Sequence, residues 1–264
     1  MKRFRSCDVT LRPDESIDEF MDGRLKVIQS KKGYRFSVDA ILLSEFVSVR
    51  DGDRVVDLGA GCGIIPLLLL LTRPIRRVLA LEIQPDLAHQ AFRNARLNGF
   101  AGRMDVVIGD IRAIPISPLS ADVVLCNPPY RQKRSGRINP DPQRAIARHE
   151  IMMSLEDILG ASKRLLRAGG RLAVIYPSLR LAELVARMES HGLEPKRMRL
   201  VYPDGESGAK LVLLEATAKG RRGLKVLPPL FEKGAQGARK RGSPNSCQAP
   251  SRVTKGLSGD NLEE

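Results

Sequence analysis

The chain has 264 residues, 42% of them hydrophobic, which suits one α/β domain with an appendage; with no Trp and 4% aromatics, the core must be aliphatic. A formal net charge of +14 and a pI near 10.0 point to a polyanionic partner, a nucleic acid before a membrane surface, because no long basic amphipathic helix appears. The cysteines Cys7, Cys62, Cys126 and Cys247 are scattered, without C-x-x-C pairs or His at metal spacing, which argues against a zinc site or a disulfide framework.

Residues 1–23 are polar and mixed in charge, and the start, Met1-Lys2-Arg3-Phe4-Arg5, leads into no apolar secretory segment. Residues 24–29 alternate polar and apolar and read as a short edge strand. After the turn Lys31-Lys32-Gly33-Tyr34, Ser37 is placed to cap a helix running to about Val47, with Asp39 in its first turn. Residues 54–58 read as the first core strand, followed at once by Gly59-Ala60-Gly61-Cys62-Gly63 and an apolar helix over 64–71. Eight apolar residues are too few to span a bilayer. Strand, Gly-rich turn and helix form the layout of a nucleotide-binding crossover, in which glycines let the backbone approach a ligand.

A second strand over 77–81 ends at Glu82-Ile83, and a helix over 85–97 starts on Pro85 and stops before Gly99. A third strand over 104–108 ends in Gly109-Asp110-Ile111. The fourth, 121–126, runs into Asn127-Pro128-Pro129-Tyr130, where two prolines stop sheet pairing and stiffen the backbone. Asn127 Oδ1 and the Pro128 carbonyl offer two acceptors beside the Tyr130 ring, an arrangement suited to a planar –NH2 group.

Residues 131–148 carry Arg131, Lys133, Arg134, Arg137, Arg144 and Arg148 against one acid, Asp141. His149-Glu150 follow; a lone His at a helix start is more often a structural hydrogen-bonder, with shaping of a substrate pocket as the alternative. Helical spacing from Ile151 to Leu166 is closed by Gly169-Gly170, and a fifth strand covers 171–176. A helix from about 179 ends near Gly192, and strands over 196–201 and 211–217 suggest an antiparallel hairpin. Beyond Lys219 the chain is basic and rich in Gly, Pro and Ser, hydrophobic periodicity fades except around Val226 to Phe231, and the tail has too little apolar surface to pack; disorder is expected from about 233.

Asp57, Glu82, Asp110 and Asn127 thus fall at successive strand ends, along the crevice where open α/β sheets bind ligands. Together with the Gly-rich turn and Asn127-Pro128-Pro129-Tyr130, this resembles the class I S-adenosylmethionine-dependent methyltransferases over about residues 24–217. The resemblance implies a Rossmann-like α/β fold with a mostly parallel seven-stranded sheet, helices on both faces and an antiparallel C-terminal hairpin. It divides the chain into an N-terminal extension (1–36), a methyltransferase domain (37–218) and a tail (219–264).

It also implies S-adenosylmethionine as cofactor, held by Asp57, Gly59, Ala60, Gly61, Gly63, Glu82, Ile83, Asp110, Ile111 and Asn127. Glu82 would hold the ribose, and Asp110 with Ile111 the adenine. Asn127, Pro128 and Tyr130 would act on the amine, while Pro129, Tyr130, Arg131, Lys133, Arg134, Arg148 and His149 would contact substrate.

Gly33-Tyr34-Arg35-Phe36-Ser37-Val38-Asp39-Ala40, Ala147-Arg148-His149-Glu150 and Lys210-Leu211-Val212-Leu213-Leu214-Glu215 resemble the bacterial tRNA adenine-N6 methyltransferases that act beside the anticodon of a valine tRNA. The expectation is a soluble, cytoplasmic, monomeric RNA enzyme acting on tRNA, without metal or membrane. Alternatives are a protein glutamine-N5 methyltransferase, disfavoured because few residues precede Ser37 for a helical substrate domain and because a glutamine gives no reason for the basic run, and a ribosomal RNA guanine-N2 methyltransferase. A non-enzymatic RNA-binding protein on the same fold is disfavoured by intact Asp57, Asn127 and Tyr130.

Overall fold

The computed structural model describes residues 9–32, 35–114, 116–128 and 153–232. Seven long strands form one sheet in the order β5-β4-β3-β6-β7-β9-β8, where β3 is Arg54–Leu58, β4 Arg77–Glu82, β5 Met104–Ile108, β6 Ala121–Cys126, β7 Leu166–Pro177, β8 Leu193–Tyr202 and β9 Leu211–Ala218. Strands β3 to β7 run parallel, and β9 lies antiparallel between β7 and β8. The expected Rossmann-like sheet with its C-terminal hairpin is present.

Helices cover both faces. Val55, Val123 and Leu125 face one apolar cluster with α1 (Val38–Phe46), α2 (Ile64–Thr72) and α3 (Pro85–Leu97). Val56, Leu58, Val124 and Cys126 face the other, with α4 (Leu155–Leu165) and α5 (Leu181–Ser190). The alternation follows from the period-two pleat of strands covered on both sides.

Several expectations need correction. The segment 24–29 is not an edge of the main sheet: β2 (Leu25–Ser30) pairs antiparallel with β1 (Glu15–Phe20), a strand in the stretch that reads only as polar. Polarity hid β1 because its buried member is Glu15, 1% exposed, ion-paired to the buried Arg93 of α3. Burial works against this carboxylate, but hydrogen bonds from Arg93, the Arg12 N–H and Gln90 outweigh it and hold the pKa at about 2.

Ser37 stands at the N-cap of α1 but makes no side-chain cap hydrogen bond. Gly169-Gly170 do not close a helix. α4 ends at Leu165, and the glycines lie within β7 beside a register shift against β6. Gly169 has φ +76°, and a Cβ on Gly170 would sit 2.9 Å from the Arg167 carbonyl oxygen. α4 begins on a capping box between Ser154 and Asp157; Ile151 lies outside the described residues.

The tail also departs from expectation. β10 (Lys225–Val226) and β11 (Leu230–Phe231) both pair in parallel with β8, and Leu227 and Leu230 pack on the core. The apolar stretch 226–231 is the part of the tail that docks; two two-residue strands around Pro228-Pro229 are too short for the sequence to show that they pair.

Candidate active site

The registers bring the candidate residues level. Leu58 pairs with Leu81 on one side and Cys126 on the other, so Gly59, Glu82 and Asn127 follow at one height across three adjacent strands. Ile108 pairs with Glu82, and Asp110 lies two residues further along.

The turn after β3 is fixed from several directions. The Gly59 and Ala60 N–H groups donate to the Leu81 carbonyl at 2.9 and 3.0 Å, and Gly63 N–H donates to Ala60. The Gly61 N–H donates to Glu82 Oε2 at 2.8 Å. Gly59 and Gly63 have φ of +75° and +85°. Both positions favour glycine for conformation; a Cβ on Gly59 would meet only the movable Met153 methyl at 2.8 Å, while one on Gly63 would also press on Ala91 Cβ at 3.1 Å. Cys62 is buried in this turn, and burial pushes its thiol up to about 12, so it is no nucleophile at neutral pH.

Asp57 lies beneath the turn, 1% exposed, and neither carboxylate oxygen has a partner. Burial, with the charge of Glu82 adding to it, pushes its pKa up to about 8. Glu82 is also buried, and burial raises its pKa, opposed by the N–H groups of Gln84 at 2.9 Å and Gly61. The Ile83 N–H and the Gln84 side chain also hydrogen-bond this carboxylate, which brings it close to the roughly four bonds a carboxylate can accept. Ile83 is half-buried beside it.

Asp110 caps the 3-10 turn Ile111–Ala113, and Ile111 is buried. The Arg112 guanidinium grips both Asp110 oxygens, with Nε 2.9 Å from each, and holds this carboxyl below its usual range. Sequence spacing gave no sign of that pairing. Asn127 is half-buried and Pro128 buried at the end of β6. Met153 was also not foreseen; its Sδ lies 3.9 Å from Cys126 Sγ while its methyl group covers Gly59. Pro129, Tyr130, Arg131, Lys133, Arg134, Arg148 and His149 lie outside the described residues.

Among the described residues, no group of three or more His, Cys, Asp or Glu is arranged to hold a metal ion, and no helix is long and apolar enough to cross a membrane.

A mostly parallel sheet in this strand order, with a Gly-rich turn after its first core strand and an acid at the end of the next, defines a methyltransferase domain, and residues 49–212 match the family model described as a methyltransferase domain. The fold agrees with a solved structure of a predicted O-methyltransferase from Agrobacterium tumefaciens, at TM-score 0.60 and 23% identity over 73% of this chain and 86% of that one. A geranyl diphosphate C-methyltransferase from Streptomyces coelicolor gives TM-score 0.52 at 16% identity, over 68% and 79%.

Curated relatives narrow the class. The chain is 31% identical over 181 residues to a tRNA1(Val) (adenine(37)-N6)-methyltransferase of Aeromonas hydrophila, covering 68% of this chain and 75% of the relative. It is 31% identical over 206 residues to one of Porphyromonas gingivalis, covering 75% and 80%. The chain belongs to the tRNA1(Val) (adenine(37)-N6)-methyltransferase family.

Proposed function

We propose that this protein transfers a methyl group from S-adenosylmethionine to the N6 amine of an adenine in tRNA, at position 37 of a valine tRNA, the activity its relatives are named for. The observation that carries the chemistry is the register that sets Asn127 level with Gly59 and Glu82. Donor cradle and amine acceptor then face one crevice.

The residues fit the cofactor. The partnerless Asp57 oxygens and the glycines at 59, 61 and 63 suit a ligand with a cationic group and a close backbone approach. Glu82, an acceptor-only carboxylate at the end of β4, suits a ribose diol, whose hydroxyls would replace part of its local hydrogen bonding. Asp110 and Ile111 would border the adenine, with Arg112 beside it. When bound, S-adenosylmethionine supplies an activated sulfonium methyl group.

An adenine N6 is a poor nucleophile because its lone pair is delocalised into the ring. Asn127 Oδ1 and the Pro128 carbonyl would accept hydrogen bonds from the amine and favour a tetrahedral nitrogen. These bonds strengthen as positive charge develops on nitrogen, so they act chiefly in the transition state. Tyr130 would stack on the base, and the cationic residues of 131–148 would hold phosphates. Because a stacked base cannot enter, the adenine must be unpaired or flipped.

The test is incubation of the purified protein with S-adenosylmethionine and tRNA, followed by mass spectrometry of the nucleosides. N6-methyladenosine mapped to position 37 is the expected product. N2-methylguanosine, or methyl transfer to a protein glutamine only, would overturn the reading.

A further inference from the structure

Asn94, in the last turn of α3, is fully buried and used by no part of the chemistry above. Its Oδ1 accepts the Ile28 N–H at 2.7 Å. Because an N–H can only donate, this fixes the amide's orientation and turns its –NH2 toward two carbonyls. One is Ile28 of β2, at 3.1 Å; the other is Cys62, at 2.9 Å, inside the Gly-rich turn.

One turn along the helix, Asn98 repeats the pattern without the last bond. It accepts the Lys26 N–H at 2.9 Å and donates to the Lys26 carbonyl at 2.7 Å, and its other donation goes to the Asn94 carbonyl of its own helix. The match is geometric: four helical residues rise about 6 Å and two strand residues about 6.6 Å, so asparagines four apart meet strand residues two apart. Together they satisfy the free edge of β2 as another strand would. Only Asn94 continues to the turn.

We propose that Asn94 is a positioning residue for the cofactor turn, holding the Cys62 peptide from behind and making the β1–β2 hairpin its buttress. This rests on reading that turn as the S-adenosylmethionine cradle. Cys62 lies between Gly61 and Gly63, both in the left-handed region, where the backbone is freest to change course. Glu82 pins the turn through the Gly61 N–H, and Asn94 pins the next residue through its carbonyl. The hairpin is itself fastened to α3 by the Glu15 pairing with Arg93 and by hydrogen bonds from Gln90 to Glu15 and Ser30. Asn94 therefore links the hairpin and α3 to the turn through side-chain hydrogen bonds.

The experiment compares Asn94→Leu with Asn98→Leu in the full chain. Both lose the β2 bracket, and only the first loses the Cys62 bond. Two readouts are taken well below the melting transition: amide hydrogen exchange of residues 59–64 without cofactor, and the Kd for S-adenosylmethionine by calorimetry. Asn94→Leu should exchange faster over 59–64 and bind about fivefold more weakly than Asn98→Leu, the factor expected for one hydrogen bond of typical net strength.

If Asn94→Leu does not fold, Asn94→Asp keeps the acceptor toward Ile28 and loses the amide donors, and the same comparison applies. Exchange over 59–64 equal to that of Asn98→Leu overturns the inference. A wild-type chain that does not bind S-adenosylmethionine overturns the cradle reading, while exchange still decides whether Asn94 holds the turn.

Discussion

Asp57→Asn separates charge from shape at the most buried carboxylate of the site. In the folded chain its pKa is pushed up to about 8 by burial and by Glu82, against an ordinary value of 3.8. Between those values the folded state holds a proton that the unfolded state has released. Stability therefore falls as pH rises through this window, at most about 1.4 kcal/mol per pH unit, and levels off above pH 8. At pH 7 the accumulated cost is of the order of 4 kcal/mol as a ceiling. Asn has nearly the same volume and does not titrate, so the variant loses this slope, while Glu82 titrates in both proteins and largely cancels.

For a chain of this size, 1 kcal/mol corresponds to about 2–4 °C in Tm. The Tm of Asp57→Asn minus that of wild type should grow by about 3–5 °C per pH unit from pH 5 toward pH 8. Differential scanning calorimetry at half-unit steps measures it. A difference that stays flat across that range would refute the burial argument, whatever its sign.

Other outcomes follow from the same geometry. Asn127→Ala should lower the single-turnover methylation rate by about 10²-fold, with S-adenosylmethionine affinity within about threefold of wild type, as read by rapid quench and calorimetry. A chain ending at Lys219 should melt about 4–8 °C below full length, because it loses the Leu227 and Leu230 contacts, the Leu227 N–H bond to Met198 and the Tyr202–Phe231 ring pair; a chain ending at Glu232 should not. Replacing Arg131, Lys133 and Arg134 together with Ala should weaken tRNA binding and flatten its logarithmic salt dependence by about two to three units in filter binding, with cofactor affinity unchanged.

The main sheet was readable because its strands are short, aliphatic and closed by polar turns. β3, α3, β5 and β6 begin and end where residue type and Pro or Gly punctuation set them. The candidate crevice was readable for a related reason: a parallel sheet brings strand ends together, so order along the chain becomes proximity in space. Partnerships between polar side chains far apart in sequence could not be read. Glu15 looks like a surface acid until Arg93 covers it, and Asn94 looks like an ordinary polar helix residue until Ile28 and Cys62 meet it. Asp110 shows the converse: its acid was legible, but the local grip of Arg112 was not. Hydrophobic period carries no record of such pairs.

The parallel pairing of β10 and β11 on β8 has a consequence for solubility. β8 is ten residues long and would otherwise end the sheet as an open ladder of N–H and C=O groups, a template for pairing with other molecules. The covering strands are two residues each, and Pro228-Pro229 between them contribute no N–H, so they occupy the ladder without offering a new one of useful length. A shortened chain that keeps its fold would therefore expose a sticky border, and its first failing would be self-association at high concentration rather than unfolding.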